Sequence, residues 1–331
     1  LFEAGDAALI GNVGPLIEPL DVTAFEANST PVPARLFSHN DQQSTWMSFA
    51  PEGAAFGWGG RFGDAALQSN ANQEPVFTAM SLAGNAVLLS GELVQPYQIG
   101  TEGVQEIIAI DQDALPLSPA FSTILRQHFE TAGPQRANLF ERDFVNASVV
   151  SLGANDLFNS SLTDAPPPLT TDFPQTALGQ QLRAVADTIN VRNALEARRQ
   201  IFFVALGEFD THSDQATTLP RLQREVSDAI ASFYAATQEL GLASDVTLFT
   251  ASDFGRTLII NGDGTDHGWG GHHFAVGGAV NGRTIYGDIP IADVGHPLDA
   301  GSGRLIPSVS VEQYAAAFGG WFGNLGLDEP A

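Results

Sequence analysis

The residues able to do chemistry gather where two apolar runs end. Ile201-Phe202-Phe203-Val204-Ala205-Leu206-Gly207 leads at once into Glu208-Phe209-Asp210-Thr211-His212-Ser213-Asp214. Val246-Thr247-Leu248-Phe249-Thr250 leads into Ser252-Asp253-Phe254-Gly255-Arg256-Thr257. A third segment follows closely, from Asn261-Gly262-Asp263-Gly264 through Thr265-Asp266-His267 to His272-His273, and four of the seven histidines lie between positions 212 and 273. Imidazole and carboxylate donors with no thiolate suit Zn²⁺, Mn²⁺ or Fe, and Asp-rich subsets suit Ca²⁺ or Mg²⁺. In an extended chain Asp210 and His212, two positions apart, project to one side. Singly, Asp210 and Asp253 read as turn or cap residues. Together at one sheet edge they read as metal ligands, with Asp266 and His267 as further candidates. His272 and His273 are adjacent and cannot both point inward from a strand, so at least one stands behind the ligands or at the surface. Asn261-Gly262-Asp263-Gly264 reads as a turn in preference to a Ca²⁺ loop.

Three further features bear on a reaction. Ser38 opens a helical stretch, where backbone N–H groups and the dipole favour an attacking alkoxide and a bound anion. The alternative is an ordinary N-cap. Arg256 can hold a phosphate or sulfate oxygen bidentately, or pair with Asp253. Gly57-Trp58-Gly59-Gly60 and Gly268-Trp269-Gly270-Gly271 echo each other. No Walker A motif, no G-x-S-x-G and no dinucleotide fingerprint after an expected strand is present.

The elements that must position these residues follow from periodicity. Ala7 to Gly14 reads as a buried strand, and Ser38 as the start of a helix. The glycine cluster at 57–60 precedes another helix, and Val76–Met80 and Val87–Leu89 read as short strands. Positions 101–175 mix helical stretches with Pro166-Pro167-Pro168, a peripheral or inserted region. Leu178, Leu182, Val185 and Ile189 keep helical spacing, and residues 219–240 trace a second helix that Gly241 stops. The apolar runs at 201–207 and 246–250 then form a right-handed strand–helix–strand crossover with the two strands parallel and adjacent. Phe274 to Gly278 adds a strand, Asn281-Gly282 a turn into Thr284-Ile285-Tyr286, and residues 311–322 a last helix.

The 331 residues carry 14 Lys+Arg against 38 Asp+Glu, a formal net charge of −24. So acidic a surface repels the phosphate backbone of nucleic acids and disfavours anionic lipid. With 44% hydrophobic and 16% charged residues the composition is globular. Cys is absent, so disulfides and thiolate metal sites are excluded. No apolar run reaches the roughly 18–20 residues of a membrane helix.

The segments LFSHNDQQSTW (36–46), GWGGR (57–61), FFVALGEFDTH (202–212), FTASDFGRT (249–257) and GTDHGWGGHHF (264–274) resemble domain-of-unknown-function family 1501, a bacterial family grouped with the alkaline phosphatase and sulfatase superfamily. The stretch from Ile306 to Gly323 fits too. The resemblance implies one α/β domain over 1–331, a three-layer α/β/α sandwich with a mostly parallel sheet, and twin-arginine export to the periplasm or beyond. It implies a first strand lying before Leu1, whose Asp completes a metal site, and a C-terminus clipped relative to the family. Asp210 and His212 match the first metal-ligand motif, Asp253 the second, and Asp266-His267 the third. Ser38 falls where the superfamily places its nucleophile, and Phe254 stands where the second motif usually has His. His39, Asn40, His272 and His273 are candidates to stand behind the ligands. The implied activity is metal-dependent hydrolysis of a small anionic ester or a sulfated or phosphorylated glycan, with Zn, Mn or Ca. The alternatives are an inactive surface protein that kept the fold, and a metal- or glycan-binding module.

Overall fold

The computed structural model describes residues 1–72, 75–104, 119–132, 135–164 and 167–323. In chain order these form β1 (Ala7–Gly14), α1 (Val22–Glu26), α2 (His39–Ser48), α3 (Trp58–Gln68), β2 (Ala79–Ser81), β3 (Tyr97–Gln98), α4 (Pro119–Ala132), α5 (Leu139–Thr163), α6 (Ala177–Asn190), β4 (Ile201–Phe203), α7 (Gln215–Glu239), β5 (Leu248–Phe249), β6 (Arg256–Asn261), β7 (Gly264–His267), β8 (Gly271–Val276), β9 (Ile285–Tyr286), β10 (Val309–Ser310) and α8 (Val311–Gly323). The fold is mixed α/β. Of the region 101–175, positions 105–118, 133–134 and 165–166 (Pro166 among them) lie outside the described residues.

The strands fall into three hydrogen-bonded sheets. β2 lies between β3 and β4, parallel to both, with Met80 opposite Tyr97 and Phe202. A five-stranded sheet runs β10-β1-β8-β5, with β9 also on β1, and mixes parallel and antiparallel pairs. β6 and β7 form a separate hairpin. The expectation that the strands at 201–207 and 246–250 are adjacent partners is corrected. β4 bonds to β2, whereas Leu248 and Phe249 of β5 bond antiparallel to Val276 and Ala275 of β8. Shared helices hold the two strands instead. Phe202 and Leu248 pack against the cluster under α6 and α7, with Leu182, Val185, Ala229 and Phe233. Ile201, Phe203 and Phe249 pack against Trp58, Phe62 and Phe322 of α3 and α8. Successive residues of a strand face opposite ways, so both strands are covered on both faces.

Two local expectations also change. Val87–Leu89 is a 3-10 turn, not a strand, and α3 begins inside the glycine cluster rather than after it. The reason is close packing. Gly57 and Gly60 lie so near the backbone of Val87 to Gly91 that a Cβ would collide with it, and Gly57 N donates to Ser90 O at 2.8 Å.

Candidate metal centre

The loop after β4 shapes the first part of the site. Glu208 takes a left-handed φ of 71°, and Thr211 N and His212 N donate to Phe209 O and Asp210 O at 2.9 and 3.0 Å. These tight turns, not an extended chain, bring His212 Nε2 to 2.9 Å from Asp210 Oδ1. Gly264 of β7 fits against the backbone of Thr211 and His212 only because it has no side chain. Thr265 N donates to Thr211 O at 3.1 Å, which ties the β6–β7 hairpin to the loop. The hairpin turn includes Gly262 with φ +67°, so 261–264 is the turn the residues suggested.

His267 of β7 places Nε2 3.1 Å from Asp210 Oδ1 and 3.0 Å from His212 Nε2. His39, the first residue of α2, sets Nε2 3.2 Å from Asp210 Oδ2 and Nδ1 2.6 Å from Asp253 Oδ2. Asp210 and Asp253 are thus one imidazole ring apart. Gln43, a helical turn beyond His39, donates to Asp253 Oδ2 at 3.2 Å. Ligand atoms of His39, Asp210 and His267 all lie within 4.8 Å of one another.

The hydrogen bonds behind the rings set the electrostatics. The Phe37 carbonyl, which can only accept, is 2.8 Å from His267 Nδ1, so Nδ1 carries a proton and Nε2 is the ring nitrogen turned toward Asp210 and His212. His212 Nδ1 faces Asp266 Oδ1 at 3.4 Å, with the same consequence. The Nε2 atoms of both rings and Asp210 Oδ1 thus converge on one point, where a bound cation would take all three as donors. Asp210, Asp253 and Asp266 set three negative charges beside the guanidinium groups of Arg256 and of Arg304, whose Nε donates to His267 O at 3.0 Å. A donor set of this kind fits a divalent ion.

Arg256 resolves one alternative. Its guanidinium donates to Asp210 Oδ1 and to the Thr265 carbonyl, and its Nε to Thr265 Oγ1 at 3.2 Å. The pairing with Asp253, one of the two alternatives, gives way to one with Asp210. Burial pushes the Asp210 carboxyl up, but the Arg256 bond and the charges of His267, Arg256 and His212 outweigh it and hold its pKa below the ordinary value. Burial pulls the His39 imidazolium down, and the bonds and charges of Asp253 and Asp210 overcome that, so its pKa stands above the ordinary value.

The other candidates separate. The Ser38 hydroxyl makes no cap to a backbone N–H; it donates to Asp41 Oδ2 at 3.0 Å, and Asp41 is buried, with Oδ1 3.5 Å from Arg35 Nη1. Asn40 is exposed. His272 Nδ1 accepts from Asn12 N at 3.0 Å. Phe254 is buried and stacks on His267, ring centroids 4.2 Å apart, with His39 at 4.8 Å. Trp58 and Trp269 are both buried, their indole N–H groups bonded to Trp46 O and Pro15 O. The two glycine–tryptophan segments therefore offer no aromatic platform to a glycan. Sequence reasoning missed Gln43 and the Phe37 carbonyl. The i, i+4 spacing of His39 and Gln43 was the available signal for the first; a backbone group gives none.

His273 lies in the core beside Trp46 and Tyr314, Nδ1 3.3 Å from Thr250 Oγ1. Burial, and secondarily the charge of His272, push its pKa from 6.5 down to about 4. Below pH 6.5 the unfolded chain takes up a proton that the folded chain refuses until about pH 4. Stability is thus expected to fall as pH drops through this window, by up to about 3 kcal/mol. Urea titrations of wild type and His273→Gln across pH 4–7 check this. The variant's acid limb is expected to be flatter, and identical slopes would contradict the assignment.

Residues 147–297 match the model of a family described as "Protein of unknown function (DUF1501)". The matched span contains Asp210, His212, Asp253, Arg256, Asp266 and His267, and supports the resemblance seen in the motifs. Ser38 and His39 lie outside it. No curated protein and no solved structure matches the chain.

Proposed function

We propose that the chain is a divalent-metal-dependent hydrolase of phosphate or sulfate esters, an α/β/α sandwich of the alkaline phosphatase and sulfatase type that works in the periplasm or outside the cell. The observation that carries this reading is the convergence of His39, Asp210 and His267 within 4.8 Å, with His212 and Asp253 against the same group. So many imidazoles favour Zn²⁺ or Mn²⁺ over Ca²⁺. When bound, such an ion supplies Lewis-acid polarisation of the ester oxygen.

The chain's own groups support the remaining roles. Ser38 sits between Phe37, whose carbonyl holds His267, and His39. Its hydroxyl, the Asp41 carboxylate and the Arg35 guanidinium form a nucleophile, a base and a group that orients the base. In attack the Ser38 proton passes to Asp41, Oγ bonds to phosphorus or sulfur, and the P–O or S–O ester bond breaks, the leaving oxygen taking up a proton to depart as the alcohol. Water then cleaves the seryl ester, releasing phosphate or sulfate and restoring Ser38. Arg256 keeps positive charge beside Asp210, where an anionic group would gather. The net charge of −24 repels polyanionic nucleic acid strongly, and at low salt it also repels a small anionic ester or a charged glycan. A second reading, a metal-binding protein without turnover, is favoured by the Phe254 ring lying over His267.

Turnover of p-nitrophenyl phosphate and p-nitrophenyl sulfate tests this. Activity is expected to rise with moderate salt, vanish on chelation and return with Zn²⁺ or Mn²⁺. Ser38→Ala is expected to lose turnover at unchanged metal content. Tight metal binding without turnover of either ester favours the second reading, and activity indifferent to chelators contradicts the first.

A further inference from the structure

We infer that Asp266 is a positioning residue for His212 and not a ligand of the metal. The inference rests on the metal-site reading for its purpose, but its geometry stands on its own. Asp266 and His267 are consecutive on β7, and consecutive strand residues point to opposite faces. His267 turns its Nε2 to Asp210 and His212. Asp266 therefore cannot reach the same point directly, and its carboxylate instead meets the far side of the His212 ring, Oδ1 to Nδ1 at 3.4 Å.

Asp266 is itself fixed at two points, one on its carboxylate and one on its backbone. Asn261 Nδ2 donates to Asp266 Oδ1 at 3.1 Å, across the β6–β7 hairpin, and the Asp266 backbone N–H donates to Thr257 Oγ1 at 3.0 Å. A carboxylate held on Nδ1–H fixes the tautomer, sets the ring plane and makes Nε2 a better donor to a cation. The Phe37 carbonyl performs the same office for His267. Both rings are thus held from behind with Nε2 forward, one by a backbone group and one by a side chain. Only the second can be removed by substitution.

The test uses Asp266→Asn and Asp266→Ala with two readouts. In calorimetric titration with Zn²⁺ alone, stoichiometry is expected to match wild type while affinity falls about 10–100-fold, the usual cost of losing a group that holds a ligand ring. In metal-free protein, the ¹⁵N shifts of His212 are expected to report Nδ1–H in wild type and a mixture of tautomers in Asp266→Ala. Loss of a whole equivalent of Zn²⁺ would show Asp266 to be a ligand and overturn the inference. Unchanged affinity together with an unchanged tautomer would also overturn it. If wild type binds no Zn²⁺ the metal reading fails, while the tautomer measurement still decides for or against Asp266 as the group that sets the ring.

Discussion

Asp210→Ala is expected to weaken Zn²⁺ or Mn²⁺ binding by more than about a hundredfold, a larger loss than substitution of any group behind the ligands. The expectation follows from its place at the centre. Its Oδ1 meets His212, His267 and Arg256, and its Oδ2 meets His39. No other residue of the cluster touches all four. Removal leaves the imidazoles without the carboxylate that gathers them and frees Arg256 inside the group, adding a repulsive charge for any cation. Asp210→Asn keeps the shape and loses the charge, so it is expected to fall between the two. Calorimetric titration of the three proteins checks the order. A Zn²⁺ affinity unchanged in Asp210→Ala would mean that the metal, if any, binds elsewhere.

The second large effect concerns the scaffold. Asp64 on α3 is buried and accepts three backbone hydrogen bonds, from Glu92 N at 2.7 Å and from Leu93 N and Val94 N at 2.9 Å each. Asp64→Ala leaves all three donors without a partner, at about 1–3 kcal/mol apiece. A loss on the order of 3 kcal/mol or more is expected, a large share of the roughly 5–15 kcal/mol typical of a folded domain. Asp64→Asn keeps one acceptor oxygen and is expected to lose less. Chemical denaturation measures both, and a change below about 1 kcal/mol in Asp64→Ala would show that solvent or a shift of the 91–94 loop satisfies the donors.

What could be read from the residues depended on how local the cause was. The segments after 201–207 and 246–250 were legible because apolar runs ending in Asp and His mark strand ends. Strand pairing was not. β5 takes β8 because a later segment returns antiparallel to it, and nothing within 246–250 encodes that choice. The meeting of Asp210 and His212 was foreseen for the wrong reason, since an extended chain was assumed where the left-handed Glu208 and two tight turns do the work. His39 was read as a candidate to stand behind the ligands, or to point at the cluster if Ser38 were only a cap. Its position between Asp210 and Asp253, 171 and 214 residues away, is a product of tertiary packing. Ser38 was weighed as either nucleophile or cap, and its bond to Asp41 is neither simple case. That bond uses an acceptor three residues along the helix, a spacing visible in Ser38-His39-Asn40-Asp41 once the buried Asp41 is known.

The central claim is that these imidazoles and carboxylates hold a metal ion. Elemental analysis of protein purified without metal-affinity resin or chelator tests it most directly. One or two equivalents of Zn or Mn per chain, removed by chelator and restored by either ion in wild type but not in Asp210→Ala, is the predicted result. A metal-free protein that takes up neither Zn²⁺ nor Mn²⁺ on titration would contradict it.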